Sequence, residues 1–368
     1  MSRPDVLVLG GGIIGLACAR ELAGHGLAVE VLERLAAGAE ASTAAAGMLA
    51  PLADLPAPGF FFDACRDARN LWSVWAGEIE EESGVAVEYD ASGALLVALD
   101  ELEEVELDVL WRAAAELGEP AEEIDLPTLR RSVPDASPGV RRALLLSGEH
   151  RVDNVQACAA LAVAAARRGV VLTHGAEVLA VEPAGAGVKV TGKGWEKSAG
   201  LLVLAAGAWS GGIPGLPKLP VRPVRGQMLL LGGIDWRWNG ILRAPHLYTV
   251  RRGATGLLIG ATVEEAGFVK HPTVAGVGDL LAAARRLLPG LEDHRLETCW
   301  AGLRPGTPDG LPLVGPLPGW PAGIAATGHY RNGILLAPWT AREVAALALD
   351  GGPGPAAFSP SRFAAEPV

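Results

Sequence analysis

Several features that would fix the class of a chain at once are missing from this one. The apolar stretches are broken by Gly, Pro or charge within about a dozen residues, so no membrane-spanning helix is expected. The cysteines, Cys18, Cys65, Cys158 and Cys299, are scattered without a CxxC spacing. That excludes a zinc site or a disulfide framework and leaves buried free thiols. No metal is expected. Lysine is confined to Lys189, Lys193, Lys197, Lys218 and Lys270, so arginine carries most of the positive charge, and no function follows from that. No run of like charge is long enough for an interaction tail. The net charge of -11 and a pI near 5.2 exclude a nucleic-acid surface. A signal peptide would need a basic start, an apolar core and a small-residue cleavage site. Here the apolar core would be the first strand of a fold, so a cytoplasmic protein is expected.

The 368 residues, half of them hydrophobic and a fifth charged, suffice for two domains with sizeable cores. The informative stretch comes first. Asp5-Val6-Leu7-Val8-Leu9 has strand length and runs into Gly10-Gly11-Gly12-Ile13-Ile14-Gly15, then into a helical segment from Leu16 to Ala23. A second apolar run, Ala28 to Leu32, ends at Glu33. This is a βαβ unit with a G-x-G-x-x-G turn and an acidic residue about twenty positions on. Gly10 suits the tight turn, Gly12 lets a pyrophosphate approach the main chain, and Gly15 lets the helix pack against the strand. The helix N-terminus offers N–H groups to phosphates. Glu33 can accept both ribose hydroxyls of an adenosine and would repel a 2′-phosphate, which disfavours NADP.

Small residues dominate from Gly38 to Met48, where Ser42 or Thr43 could cap a short helix and meet a second phosphate; a plain alanine-rich helix is the other reading. Phe60–Ser83 has helical spacing with core aromatics. Val85–Tyr89 and Ala94–Leu99 read as a hairpin around Ser92-Gly93, followed by helices near 100–117 and 126–132 and a strand at 141–146. Asp153-Asn154 marks a helix start. A strand at 170–174, a small meander over 177–190 and the buried strand Leu201–Ala206 follow, the last ending in Gly207-Ala208-Trp209-Ser210. Strands are expected at 221–231, 246–251, 256–261, 297–303 and 324–327, with helices at 277–288 and 334–349. Arg304–Gly310 reads as a turn-rich loop, Gly328–Gly333 as a turn entering a helix, and the Gly/Pro/Ala-rich tail after Asp350 as mobile.

The chain resembles the D-amino-acid-oxidase family of flavoproteins, and within it the glycine-oxidase branch associated with thiamine biosynthesis. The likeness covers nearly the whole chain. It rests on Gly10–Gly15 with Glu33, Ala45-Ala46-Gly47-Met48-Leu49-Ala50-Pro51, the 207–210 turn and Gly260-Ala261-Thr262. Its most specific blocks are Trp300-Ala301-Gly302-Leu303-Arg304-Pro305-Gly306-Thr307 and Gly328 through Pro338. It implies an α/β fold: a Rossmann-like FAD-binding domain in three ββα layers (1–85, 151–219, 299–368), with an interleaved substrate domain on a large mixed or antiparallel sheet (86–150, 220–298).

It also implies FAD held non-covalently, because Gly302 stands roughly where related sarcosine oxidases carry a flavin-linking cysteine and Cys299 is not the matching residue. Gly10, Gly12, Ile13, Ile14 and Gly15 would hold the pyrophosphate, Glu33 and Arg34 the adenosine side, and Val178 the adenine through its backbone. Ser42, Thr43 and Ala45 would meet phosphate or ribityl groups. Ala46, Gly47, Met48, Ala206, Gly207, Trp209, Tyr330, Arg331, Asn332, Gly333, Ile334 and Leu335 complete the expected cofactor contacts, with Arg304 at the flavin as well. Arg304 matches the position that grips the substrate carboxylate, Tyr248 an assisting aromatic, and His246 and Arg331 the mouth of the site. On their residues alone, Tyr248 also reads as packed core and His246 and His329 as structural histidines. Val263 stands where the family has methionine.

The expected activity is oxidative deamination of glycine, sarcosine and small D-amino acids by hydride transfer to flavin. Molecular oxygen would be the acceptor, giving an α-keto acid, ammonia or amine, and hydrogen peroxide. A homo-oligomer is expected from the family. The alternatives are a D-amino acid dehydrogenase with another acceptor and a nucleotide-binding protein without redox chemistry.

Overall fold

A computed structural model describes residues 3–55 and 57–363. Strand Val6–Leu9 lies near the centre of a six-stranded sheet ordered 313–317, 320–327, 201–204, 6–9, 29–32, 171–173. Its neighbours Leu201–Leu204 and Val29–Leu32 run parallel to it. Because successive side chains alternate between faces, Val6 and Val8 pack under a helical layer, while Leu7 and Leu9 face the antiparallel meander 178–184, 187–192, 195–199. That is the expected ββα sandwich.

The helical layer is built by Ile13–Gly24, Asn154–Arg167, Gly333–Asp350 and Phe60–Ser83. Pro338 lies inside the last helix and has no N–H to give Ile334. The buried indole of Trp72 donates instead to the carbonyls of Ile334 and Leu335, both at 3.0 Å. The three cysteines of this layer, Cys18, Cys65 and Cys158, are buried free thiols, and burial pushes the Cys158 thiol up to about 12.

The second sheet has eight strands ordered 295–306, 222–232, 256–260, 247–252, 241–244, 94–98, 142–146, 122–124. All its pairs are antiparallel except 94–98 with 241–244. One face carries helix Val274–Leu287; the other faces the first half of the molecule.

Three expectations are corrected. Residues 85–89 form no hairpin: the main chain of Asp90 pairs with Arg151, and Ala94–Ala98 pairs with 142–146 and 241–244. Strand 241–244, hidden between turn residues, was not expected at all. Arg304 is not in a loop, because Arg295–Gly306 pairs along its length with Arg222–Gly232. Arg295–Gly306 is thus the edge strand of the larger sheet. The segment after Asp350 is docked, not mobile. Phe358 is fully buried and meets Phe60, Phe61 and Trp339 edge to face, so aromatic burial outweighs the local Gly/Pro content. Residues 364–368 of that tail lie outside the described residues.

Candidate active site

The two sheets enclose a cavity of about 1340 Å³, larger than the roughly 300–1,000 Å³ of ordinary small-molecule pockets. Its first wall is main chain. Gly10 has φ +106°, and a Cβ there would lie 2.4 Å from the carbonyl of Ala205. A Cβ on Gly47 would fall 2.0 Å from the carbonyl of Val152. Helix Ile13–Gly24 points its N-terminus into the cavity from Gly12, and Ser42 Oγ accepts from Ile13 N at 3.0 Å. Glu33 accepts from Gly11 N and Leu35 N, both at 2.7 Å, which fixes its carboxylate at the end of the second strand. Arg34 lies over the Trp209 ring, 4.4 Å from its centroid.

The opposite wall is one face of the eight-stranded sheet, and it is made by side chains. Arg243 stands opposite Tyr248, Tyr248 opposite Gly260, Gly260 opposite Met228, and Met228 opposite Trp300. Residues paired in this way share a face. Two positions further along, Gly226 faces Gly302, and two beyond that Val224 faces Arg304. The glycines leave room. The guanidinium of Arg304 lies so close over Gly226 that a Cβ there would sit 2.3 Å from Nη1, and a Cβ on Gly302 would sit 2.6 Å from Ala44 Cβ. Arg304 Nη1 donates to the carbonyl of Thr262 at 3.0 Å and, at 3.5 Å, to that of Arg225. Among the described residues it has no carboxylate partner. Tyr248 donates to Met228 Sδ at 3.3 Å. Burial raises its phenol above the ordinary value, opposed by Arg304; Asp54 reinforces the rise, and Arg243 and Arg331 oppose it.

Of the expected site residues, Gly15, Thr43, Asn332 and Leu335 do not line the cavity; all the others do. Gly15 packs instead against the first strand, where a Cβ would lie 1.9 Å from Gly10 O. Thr43 turns its hydroxyl to Gly38 O at 2.8 Å. Asn332 caps the last helix, and Leu335 is core. His246 is exposed at the cavity's edge. His329 is fully buried, bonded through Nε2 to Thr340 Oγ1 at 2.9 Å, and burial lowers it to about 3; it is a neutral structural histidine. The sequence reading missed Asp54 and Arg243, a pair at 2.9 Å in the cavity wall. The only sequence signal for Arg243 is its cross-strand match to Tyr248, which needs the unexpected strand 241–244.

A glycine-built strand-to-helix turn opening onto a large cavity, faced by a sheet that presents an arginine without a carboxylate partner among the described residues, defines a dinucleotide-binding protein. Comparison with known proteins narrows this class. Residues 5–347 match the family model described as FAD dependent oxidoreductase (DAO). A glycine oxidase of Bacillus licheniformis is 32% identical over 350 residues, 94% of this chain and 93% of that protein. A Synechocystis protein named bifunctional protein ThiO/ThiG is 38% identical over 98% of this chain and 54% of its own length, so this chain spans about half of it. The crystal structure of a Geobacillus kaustophilus glycine oxidase superposes with a TM-score of 0.93 at 31% identity, covering 99% of this chain and 100% of that one. The chain belongs to the DAO family of FAD dependent oxidoreductases. The cavity fits that cofactor: a Cβ-free main-chain cradle at Gly10 and Gly12, a helix N-terminus for its phosphates, and Glu33 at the strand end for its ribose. No helix among the described residues is long and apolar enough to cross a membrane.

Proposed function

We propose that this enzyme oxidises glycine and other small amines, sarcosine and small D-amino acids among them. One amine, one oxygen molecule and one water give the α-keto acid (glyoxylate from glycine), ammonia or an amine, and hydrogen peroxide. The observation that carries this reading is Arg304. Its guanidinium lies on the cavity floor, held by main-chain carbonyls and uncommitted to any carboxylate among the described residues. A planar fork so placed suits a substrate carboxylate, which it can grip with two parallel charge-assisted hydrogen bonds.

FAD, held without a covalent bond, supplies the two-electron acceptor. Gly10, Gly12, Ile13 and Ile14 would meet its pyrophosphate, Glu33 and Arg34 its adenosine, Val178 its adenine, and Ala46, Gly47, Met48, Arg331, Gly333 and Ile334 its ring. The cavity offers no cysteine for a covalent link among the described residues, and Cys299 packs on the opposite face of its sheet. Tyr248 would place its hydroxyl by the carboxylate. His246 and Arg331 would edge the entrance. Arg304 and the apolar floor orient the amine and exclude water, and orientation is the protein's main contribution to such chemistry. The six-stranded half would serve as the cofactor domain and the eight-stranded half as the substrate domain. Likeness to a ThiO/ThiG protein supports a role in thiamine biosynthesis. In that role the enzyme would act as a cytoplasmic homo-oligomer and supply the imine.

Anaerobic mixing of the FAD-loaded protein with glycine, sarcosine or D-alanine is expected to bleach its visible absorbance; a spectrum unchanged by all three sinks the reading. In air, peroxide should equal keto acid, and a shortfall points to another acceptor. Acid precipitation should leave the yellow colour in the supernatant.

A further inference from the structure

Behind the cavity wall lies a dense polar network outside the groups assigned so far, on the segment that follows strand Gly256–Gly260, and it reaches the cavity at Thr262. Thr262 offers Arg304 its carbonyl, and that residue is fixed on every side. Its N–H donates to Gln227 O at 3.3 Å, and its Oγ1 accepts from Gln227 N at 2.9 Å. The same hydroxyl donates to Glu264 Oε1 in a short hydrogen bond. Glu264 is the hub. Its Oε1 also accepts from Gln227 Nε2 at 2.7 Å, its Oε2 pairs with Arg225, and its main chain exchanges two hydrogen bonds with Arg225 at 2.9 and 3.0 Å. Gln227 is fully buried and accepts from Thr273 N at 2.8 Å.

The far end of the segment is tied down as well. Phe268 packs on Trp209 at 5.5 Å between centroids, Lys270 pairs with Glu40 at 2.7 Å, and Arg225 donates to His271 O at 3.3 Å. Burial would raise the Glu264 carboxyl, but hydrogen bonds from Arg225, Thr262 and Gln227 outweigh it and hold the group below its usual range.

An arginine on a long flexible stem has much rotamer freedom to lose, so a grip on a small anion needs fixed partners behind it. Among the described residues only main chain supports Arg304, and the carbonyl of Thr262 makes its shortest hydrogen bond. We propose that Glu264 is a positioning residue for substrate: it locks Thr262, whose carbonyl aims the guanidinium of Arg304 at the carboxylate. The proposal rests on Arg304 as the clamp.

In Glu264→Gln an amide nitrogen replaces one oxygen. Either it faces the Arg225 donors, or it faces those of Thr262 and Gln227; the hub breaks in both cases. Thr262→Val keeps the carbonyl and removes the hydroxyl that ties it down. Acetate, which carries the carboxylate but no amine to be oxidised, is titrated into the FAD-loaded enzyme and read by the shift of its visible spectrum. Both variants should weaken acetate about tenfold and raise KM for glycine by the same factor, with kcat within about twofold. Glu264→Asp should recover part of the loss. If Glu264→Gln fails to load FAD, Thr262→Val decides alone. Acetate binding and KM within twofold of wild type in folded, FAD-loaded protein overturn the proposal, as does a fall in kcat at unchanged KM. Arg304→Ala separates the two readings. If it leaves acetate binding intact, the clamp itself is wrong; if it abolishes binding while the network variants do not, only the role of Glu264 falls.

Discussion

The cavity is walled by two sheets that use opposite materials. On the six-stranded side the ligand-facing atoms belong to the main chain, and the side chains are mostly absent or small: Gly10, Gly12, Ala45, Ala46, Gly47, Gly207. On the eight-stranded side the main chain is tied up in the ladder and side chains do the facing: Arg243, Tyr248, Met228, Arg304. A main-chain surface suits a large, invariant partner that binds by its phosphates. A side-chain surface suits a small ligand distinguished by its charge and shape. The lesson is that the same residue type, glycine, has two different jobs. In the first wall it lets backbone approach backbone; in the second it clears space over the sheet for an arginine.

The largest effect is expected from the second wall. Arg304→Ala should cost roughly 3–5 kcal/mol of transition-state binding, about two to four orders of magnitude in kcat/KM, with FAD content and melting temperature near wild type. A variant as active as wild type would show that the carboxylate sits elsewhere.

The contrast between glycines can be broken directly. A Cβ on Gly15 would meet a carbonyl of the adjoining strand at 1.9 Å, and neither main chain can yield. Gly15→Ala should lower stability by about 1–3 kcal/mol or more and impair FAD retention. At Gly226 the clashing atoms are the tip of a flexible side chain. Gly226→Ala should melt near the wild-type temperature, keep its FAD, and raise KM severalfold as the guanidinium is pushed aside. Equal losses of stability in the two variants would erase the distinction between the walls.

This division also decides what the sequence could show. The main-chain wall is local: Gly10 to Glu33 spans one βαβ unit, so its glycine spacing and terminal acid read directly as a nucleotide cleft. The side-chain wall is assembled across strands far apart in the chain, from Tyr248 to Met228 to Trp300, and depends on register, which spacing does not reveal. Arg304 and Tyr248 were reached only through a family likeness. Arg243, Asp54 and the network at Glu264 were missed, because no motif marks a residue whose importance comes from what lies opposite. The tail after Asp350, which carries Phe358, was misread for the same reason. A Gly/Pro-rich tail looks loose until the aromatic cluster that receives it is in place.

The smallest expected effect sets the two halves against each other by pH. His329, on the six-stranded side, is lowered by burial to about 3, so the unfolded chain, with a value near 6.5, takes up its proton first. Its contribution is complete above 6.5 and is lost as pH falls toward 3. Glu149 supports the other wall: its Oε1 accepts from Leu52 N at 2.8 Å, beside the Asp54–Arg243 pair, while Oε2 is buried without a partner. Burial pushes its carboxyl up to about 8, from an ordinary 4.5. The folded protein therefore holds a proton that the unfolded chain releases, and stability is complete below 4.5 and lost as pH rises toward 8. Each proton so linked changes stability by about 1.4 kcal/mol per pH unit at most. Glu149→Gln keeps the acceptor for Leu52 and removes the titration. Its melting temperature relative to wild type should be lowest near pH 4.5 and climb steadily to pH 8. Melting curves of the two proteins that stay parallel from pH 4.5 to 8 would mean that Glu149 is ionised in the fold, and that neither wall of the cavity is sensitive to alkali.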